Sequence, residues 1–520
     1  MVVPEARAWR AARPHVVRIA SSVKPHVARI TQAVRPRPVK FTTPQLTVVA
    51  ATVGLALAAG AVAAAGPWDS SGQRTAERDW AASREGEGGT DHGLTSGTSA
   101  KAPRPAPSAA SVLTGLGGST AAGSVPAPAG KALADVLDPL LNDPALGADR
   151  TAVVVDVATG KRLYDKGAGE AQTPASTTKI ATAVAALSAA GPDHRITTRT
   201  VLEPDTKEVV LVGAGDPTLT AREDAKGYAS LRTLADETAS ALKARHLSQV
   251  TLSYDTSLYS GPTVHPIGDN PNLAPVTALM VDEARTDDSD SGTAERSEDP
   301  AGEAAGEFAK LLQAKGIKTT SPGLSKATSR SQALASVSSP PLSALVERML
   351  TNSDNDIAEA LARQVALATG GKASFEGGGK AIGLQLEKLG FALSGVDFAD
   401  GSGLNREDKL TAGLLTALLA KAGDPAHPEL RPVLTGLPIA GFTGTLTDRY
   451  ATDASATGVV RAKTGTLTGV NTLAGTVVDA DGRLLAFAFL TSDEAHPPQK
   501  EAAQAALDRA ATALAGCGCR

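Results

Sequence analysis

The spacing of apolar positions changes several times along this 520-residue chain, and each change predicts a different element. Leu46 to Gly66 is one uncharged apolar run. From Pro67 to about Gly130 the chain is Gly, Ser, Ala, Pro and Thr, as in SSGQRTAERD and APRPAPSAASV. Such a segment buries too little apolar surface to fold and reads as a disordered linker. KALADVLDPLLNDPAL, from Lys131, has helical periodicity. TAVVVDVATGKRLYDKG then alternates as a strand, turns at Ala158-Thr159-Gly160 and returns. A helix with Ile180, Val184 and Leu187 on one face follows and stops at Gly191-Pro192. Between Thr198 and Pro340, short β-like runs (EVVLVG, QVTLSYD) alternate with helical ones (YASLRTLADETASALKA, GEAAGEFAKLLQAKG), the pattern of an inserted subdomain. LSALVERMLTNSDNDIAEALARQVALATGG reads as two helices broken around Thr351 to Ser353. VVRAKTGTL is a strand, and NTLAGTVVDADGRLLAFAFLTS is a hairpin turning at Asp481-Gly482. Lys500 to Ala515 is a closing helix. No internal repeat is present. The expected fold class is α+β, a mixed sheet flanked by helices.

These patterns divide the chain into a basic tail (1–45), an apolar span (46–66), a linker (67–130), a main domain in two pieces (131–197 and 341–516), an insert (198–340) and a short tail (517–520). Charge changes the picture at the N-terminus. Residues 1–40 carry nine Lys or Arg against Glu5 alone. An apolar run of about 20 residues spans a bilayer. Basic residues before it keep that end in the cytoplasm and place the rest outside. The reading is an uncleaved membrane anchor. A cleaved signal peptide, with Ala61-Val62-Ala63 as its cleavage site, is the alternative, and both export the remainder.

Composition excludes more than it selects. The chain is 42% hydrophobic and 20% charged, enough for a large core. A net charge of −4 and an aromatic content of 3% argue against nucleic-acid binding. Cys517 and Cys519 cannot staple a domain and read as an incidental, disordered tail. The acidic stretch Asp282 to Asp299 lacks the ligand spacing of a Ca²⁺ loop and reads as a solvated loop. The eight histidines are scattered. There is no G-x-S-x-G elbow, H-E-x-x-H helix, P-loop or G-x-G-x-x-G, so no metal or other cofactor is implied.

Three short motifs carry candidate chemistry. Ser176-x-x-Lys179 stands at a predicted helix start, Ser353-Asp354-Asn355 at the break between two helices, and Lys463-Thr464-Gly465-Thr466 on a strand. The plain account of the first is a capped helix N-terminus behind Pro174, and SSVK at Ser21 to Lys24 meets the same pattern without meaning. The three together, in order and in these contexts, suit nucleophilic catalysis. A serine hydroxyl needs a base to take its proton, and residue i+3 on a helix shares its face. A lysine becomes that base only if burial or a second cation, here Lys463, lowers its pKa. Ser353 suits a proton relay and Asn355 a contact to a peptide backbone. Lys463, Thr464 and Thr466 suit a carboxylate, and Gly465 is expected to leave the strand face open to a ligand. Backbone N–H groups of Ser176 and Thr466 suit an oxyanion hole.

S-x-x-K, S-D-N and K-T-G together are the signature of class A β-lactamases and penicillin-binding proteins. The chain resembles the D-alanyl-D-alanine carboxypeptidase/endopeptidase family, the low-molecular-mass class C penicillin-binding proteins. The long interval between Ser176 and Ser353 exceeds that of a β-lactamase, and the insert accounts for it. LVGAGDPTL (211–219), DGSGLNR (400–406) and GFTGTLTDR (441–449) are similar to further family motifs. The resemblance covers about residues 131–515. It implies a penicillin-recognising transpeptidase-like fold with an inserted subdomain, a serine acyl-enzyme acting on peptidoglycan stem peptides ending in D-Ala-D-Ala, and covalent inhibition by β-lactams. Carried over, Ser176 is the nucleophile, Lys179 the base, Ser353 the relay and Asn355 a substrate contact, while Lys463, Thr464 and Thr466 hold the terminal carboxylate and Gly465 belongs to the same substrate-binding strand. Asp400, Ser402, Asp216 and Thr445 are expected to shape turns. The basic tail and anchor depart from the ordinary signal peptide of such a family. A β-lactamase of the same fold is one alternative, and a non-catalytic, membrane-tethered cell-wall scaffold is another.

Overall fold

The computed structural model describes residues 128–450 and 455–519. The expected basic tail, anchor and nearly all of the linker lie outside the described residues. Among the described residues no helix is long and apolar enough to cross a membrane.

The main domain is built on a five-stranded antiparallel sheet. Its strands are β1 (Asp149–Asp156), β2 (Arg162–Lys166), β11 (Arg461–Leu467), β12 (Val470–Val478) and β13 (Leu484–Ser492), in the order β11-β12-β13-β1-β2. Both faces are covered. Ala152, Val154, Leu473, Phe487 and Phe489 meet α1 (Gly130–Leu141) and α10 (Lys500–Ala515) on one side. Val153, Val155, Ala474, Ala486 and Ala488 face the large helical layer on the other. That is why Thr151 to Asp156 is buried continuously, rather than on alternate residues as a half-solvated strand would be. Helix α1 presents Leu133, Leu137 and Leu141, one residue per turn, to this core.

Strand β3 (Ala171–Gln172) pairs with β10 (Leu410–Thr411) in a separate two-stranded sheet, and the helical layer contains α2 (Thr178–Ala190), α5 (Leu342–Asn352), α6 (Asn355–Ala368), α7 (Phe375–Lys388), α8 (Ala412–Gly423) and the short α9 (Pro432–Thr435). Helix α2 lies at its centre. Every residue from Thr178 to Leu187 is buried, so the expected single apolar face is instead a helix enclosed on all sides. Its alanines let α5, α6, α7 and α8 approach closely.

A second sheet is formed by residues 197–338. Strands β4 (Thr197–Glu203), β5 (Glu208–Val212), β6 (Gln249–Asp255), β7 (Lys318–Thr319) and β9 (Gln332–Ser338) run in the order β7-β6-β5-β4-β9, and β8 (Gly323–Leu324) pairs with β6. Helices α3 (Leu231–Ala244) and α4 (Pro300–Ala314) supply its core through Leu234, Leu242, Phe308 and Leu312.

Two expectations for the chain's periphery are corrected. The terminal cysteines are not an incidental tail. Cys517 is buried against the α1–α10 core and is joined to Cys519 by a disulfide, while Ala129 N–H donates to the Cys519 carbonyl (2.7 Å). Nor is Asp282 to Asp299 wholly solvated. Asp287, Asp288 and Asp290 are exposed, but Glu283 is buried between Arg285 (2.9 Å) and Arg348. Apolar periodicity cannot report a carboxylate whose partners come from other segments.

Candidate active site

Ser176 lies in a single 3₁₀ turn (Ala175–Thr177) just before α2. No side chain caps the helix, so the cap expected of Ser176 or its neighbours is absent; the Thr177 hydroxyl donates to Pro174 O (2.7 Å) instead. Ala175 sits at φ 49°, in the sparsely populated left-handed region. Two glycines hold that turn from opposite sides. A Cβ on Gly465 would fall 2.7 Å from Pro174 O and 2.0 Å from the Thr472 hydroxyl, and one on Gly403 would fall 2.0 Å from Ala175 O. The expected open strand face at Gly465 is therefore closed. Glycine is needed there so that β11 can press against the turn carrying Ser176.

Lys179 is fully buried on the first turn of α2. Its Nζ lies 3.0 Å from Ser176 Oγ, 2.6 Å from Asn355 Oδ1 and 2.6 Å from the Ser402 carbonyl. Burial pushes its pKa down to about 8, against the opposing pull of Asp400, Asp354, Glu359 and Asp408. The second motif stands where α5 ends. Ser353 adopts φ 58°, and Asp354 caps α6 by accepting from Ile357 N–H (2.9 Å). This break turns Ser353 toward the strand wall and Asn355 toward Lys179. Asn355, expected as a substrate contact, is placed where both ends of its amide are engaged: Oδ1 accepts from Lys179 and Nδ2 donates to Asn272 O (2.9 Å).

On the strand wall Lys463 is also fully buried. Its Nζ donates to Ser353 Oγ (2.8 Å) and to Thr464 O (2.8 Å). Burial, and after it the charge of Lys179, push its pKa well down. Thr464 and Thr466 reach the surface of a cleft of about 560 Å³ that also contains Ser176, Ser353 and Asn355. All three motifs thus converge on one cleft.

Of the residues expected to shape turns, Asp400 and Asp216 do so. Asp400 Oδ1 accepts from Ser402 N–H (2.9 Å) and Gly403 N–H (2.6 Å), and Asp216 Oδ1 accepts from Thr218 N–H (2.9 Å). Ser402 and Thr445 belong to the site itself. The Ser402 carbonyl holds Lys179, and the Thr445 hydroxyl accepts from Thr464 (2.9 Å) at the cleft wall. Asn272, Arg285 and Arg296 of the insert also line the cleft. The DGSGLNR and GFTGTLTDR motifs signalled the first two, and nothing in local pattern signalled the last three. Among the described residues, two buried groups are compact enough to hold a cation, His265–Glu359–Asp400 and Glu283–Asp354–Asp356. Both already carry arginine counter-charges: Arg363 on Glu359 (3.0 Å), Arg348 on Glu283 and Arg296 on Asp356 (3.0 Å).

The family profile described as D-Ala-D-Ala carboxypeptidase 3 (S13) matches residues 133–293 and 287–514. Carboxypeptidase DacB of Mycolicibacterium smegmatis is 39% identical, across 76% of this chain and 86% of its own length. A carboxypeptidase of Mycobacterium tuberculosis is 36% identical, across 81% of this chain and 91% of its own. Among solved structures, penicillin binding protein 4 of Haemophilus influenzae superposes with a TM-score of 0.59 at 22% identity, covering 73% of this chain and 97% of that one. That likeness supports the penicillin-recognising α+β fold expected from the motifs.

Proposed function

The chain belongs to the D-Ala-D-Ala carboxypeptidase 3 (S13) family and is a serine-type carboxypeptidase, and on that premise we propose that Ser176 forms an acyl-enzyme with peptidoglycan stem peptides ending in D-Ala-D-Ala. The observation that carries this reading is Lys179 Nζ at 3.0 Å from Ser176 Oγ, with burial lowering the lysine to about 8. A neutral Lys179 accepts the hydroxyl proton as Ser176 Oγ bonds to the carbonyl carbon of the penultimate D-Ala. Backbone N–H groups of Ser176 and Thr466 take the oxyanion. Collapse breaks the peptide bond, the leaving nitrogen takes the Ser353 hydroxyl proton and Ser353 takes one from Lys463. The Ser353 hydroxyl accepts from Lys463, so its own hydrogen is free to be donated. Water then hydrolyses the ester, releasing the shortened peptide and Ser176; the water's proton returns by Ser353 to Lys463, and Lys179 gives its proton back to Ser176 Oγ.

The substrate's terminal carboxylate meets the hydroxyls of Thr464 and Thr466, with the Lys463 charge beneath them. An anion arriving there raises the pKa of Lys463 and restores its proton. β-Lactams acylate Ser176 by ring opening. Their amine stays attached and occupies the path of the hydrolytic water, so the adduct persists. The substrate lies in the cell wall, so the catalytic domain works in the envelope, outside the cytoplasmic membrane, tethered through Leu46 to Gly66.

The test is intact-protein mass after mixing the full chain with benzylpenicillin, for wild type and Ser176→Ala. A persistent adduct on wild type alone is expected. Rapid loss of penicillin without an adduct would make the protein a β-lactamase. Neither adduct nor turnover would leave a non-catalytic wall scaffold and overturn the reading.

A further inference from the structure

Lys179 must present a lone pair, not a hydrogen, to Ser176 if it is to take the serine proton. A neutral amine has two N–H bonds and one lone pair. The two shortest contacts of Nζ, to Asn355 Oδ1 and Ser402 O at 2.6 Å each, use both hydrogens and leave the lone pair facing Ser176 Oγ at 3.0 Å. The direction of the base is therefore set by whatever fixes those two acceptors.

Both receive contacts from the insert, and the Ser402 turn is held from the main domain as well, where Glu359 accepts from Gly401 N–H (3.0 Å) and Thr182 donates to Gly401 O (2.6 Å). Asn272 O accepts from Asn355 Nδ2 (2.9 Å), which turns Oδ1 of that amide toward the lysine. Ala274 N–H and Arg296 bind the adjacent Asp356 (both 3.0 Å) and hold the start of α6. His265 serves the second acceptor. Its Nδ1 accepts from Ile267 N–H (3.2 Å), so Nε2 carries the ring hydrogen and donates to Asp400 Oδ2 at 2.9 Å. Asp400 in turn accepts from the backbone of Ser402, Gly403 and Asn405 (2.9, 2.6 and 2.8 Å) and so sets the turn that aims the Ser402 carbonyl. His265 is 4% exposed, and its ring meets Phe375 edge-on at 4.9 Å. Asn272, Arg296, Asn355 and Asp356 line the cleft, whereas His265 and Asp400 stand behind it.

We propose that the insert is a positioning element for the catalytic base: His265, through Asp400 and the Ser402 carbonyl, and Asn272, through Asn355, aim the lone pair of Lys179 at Ser176. His265 is thus a positioning residue for the acylation step, although it lies in another subdomain and touches neither nucleophile nor substrate. The inference rests on the reading of Ser176 and Lys179 above.

The experiment is a time course of benzylpenicillin acylation of the full chain by intact mass, reading both the rate constant and the fraction of sites finally labelled. His265→Phe keeps the ring against Phe375 and removes the donor. All sites are expected to label, with the saturating rate constant reduced about 10- to 100-fold and the concentration for half-saturation unchanged, as for a misaimed reacting group. His265→Gln and His265→Asn form a matched pair of amides. Gln reaches Asp400 and restores most of the rate, and Asn falls short and does not. A smaller labelled fraction reacting at the wild-type rate would mean a folding role only and overturn the proposal, as would equal rates for Gln and Asn. Absence of labelling in wild type would instead overturn the reading of Ser176.

Discussion

The helical wall of the cleft and its strand wall each bury a lysine completely, yet they surround it differently. Lys179, on the helix side, has three oxygen neighbours within 3.0 Å, and Asp400, Asp354, Glu359 and Asp408 work against the effect of burial, leaving it at about 8. Lys463, on the strand side, donates to one hydroxyl and one carbonyl, and the charge of Lys179 works with burial, not against it, to push it well down. The same side chain under the same burial is tuned by its neighbours to two purposes. One lysine stays close to the balance a base needs near neutral pH. The other is starved of negative charge until a substrate carboxylate brings it.

Removing each lysine gives the largest contrast. Lys179→Met is expected to slow acylation by about 10³-fold, within the range for losing a general base, on every substrate. Lys463→Met loses the contact to Ser353 on every substrate, and should cost a peptide with a free C-terminal carboxylate about 10- to 100-fold more than the same peptide amidated at that end, the value of a charge-assisted hydrogen bond. Measuring kcat and KM for the acid and amide forms of one D-Ala-D-Ala peptide with both variants decides this; equal losses on the two forms would erase the distinction.

Gly465→Ala comes next, because it disturbs the contact between the two walls rather than either lysine. Its Cβ would meet Pro174 O and Thr472 Oγ1, a clash expected to cost about 1–3 kcal/mol, as overpacking does. A lowered Tm together with slowed acylation is the expected pairing, and an unchanged Tm would contradict the close approach. The smallest effect sharpens the electrostatic half of the comparison. Asp354→Asn keeps the Oδ1 cap of α6 and deletes a charge that raises Lys179. A lower lysine pKa means more neutral amine at a given pH, so the acidic limb of the acylation profile moves to lower pH. A limb that stays in place, or rises, would remove Asp354 from the account.

The chemistry was readable from sequence where it is local. Ser176 and Lys179 share a helix face within a few residues, Ser353 sits at a visible break between two periodic segments, and Lys463 to Thr466 lie on a run with strand character. The strands and helices of the insert also follow from their spacing. What escaped reading is long-range. Gly465 reads as an opening until Pro174, far away in the chain, is seen against it. Glu283 reads as solvated until Arg348 closes over it, and Cys517 reads as a tail until it meets the core of α1 and α10. Asn355 lines the cleft as a substrate contact would, but the partners that fix its amide, Lys179 and Asn272, come from distant segments. Ser402 acts through its carbonyl, which side-chain identity does not report.

The most direct measurement of the central claim is the rate constant for Ser176 acylation by benzylpenicillin between about pH 6 and pH 10. A proton on Lys179 blocks its use as a base, so the rate should rise about tenfold per unit at low pH and level off above an inflection at about 8, the value its burial sets. A profile that is flat across this range, or one that inflects in the same place in Lys179→Met, would show that Lys179 is not the base.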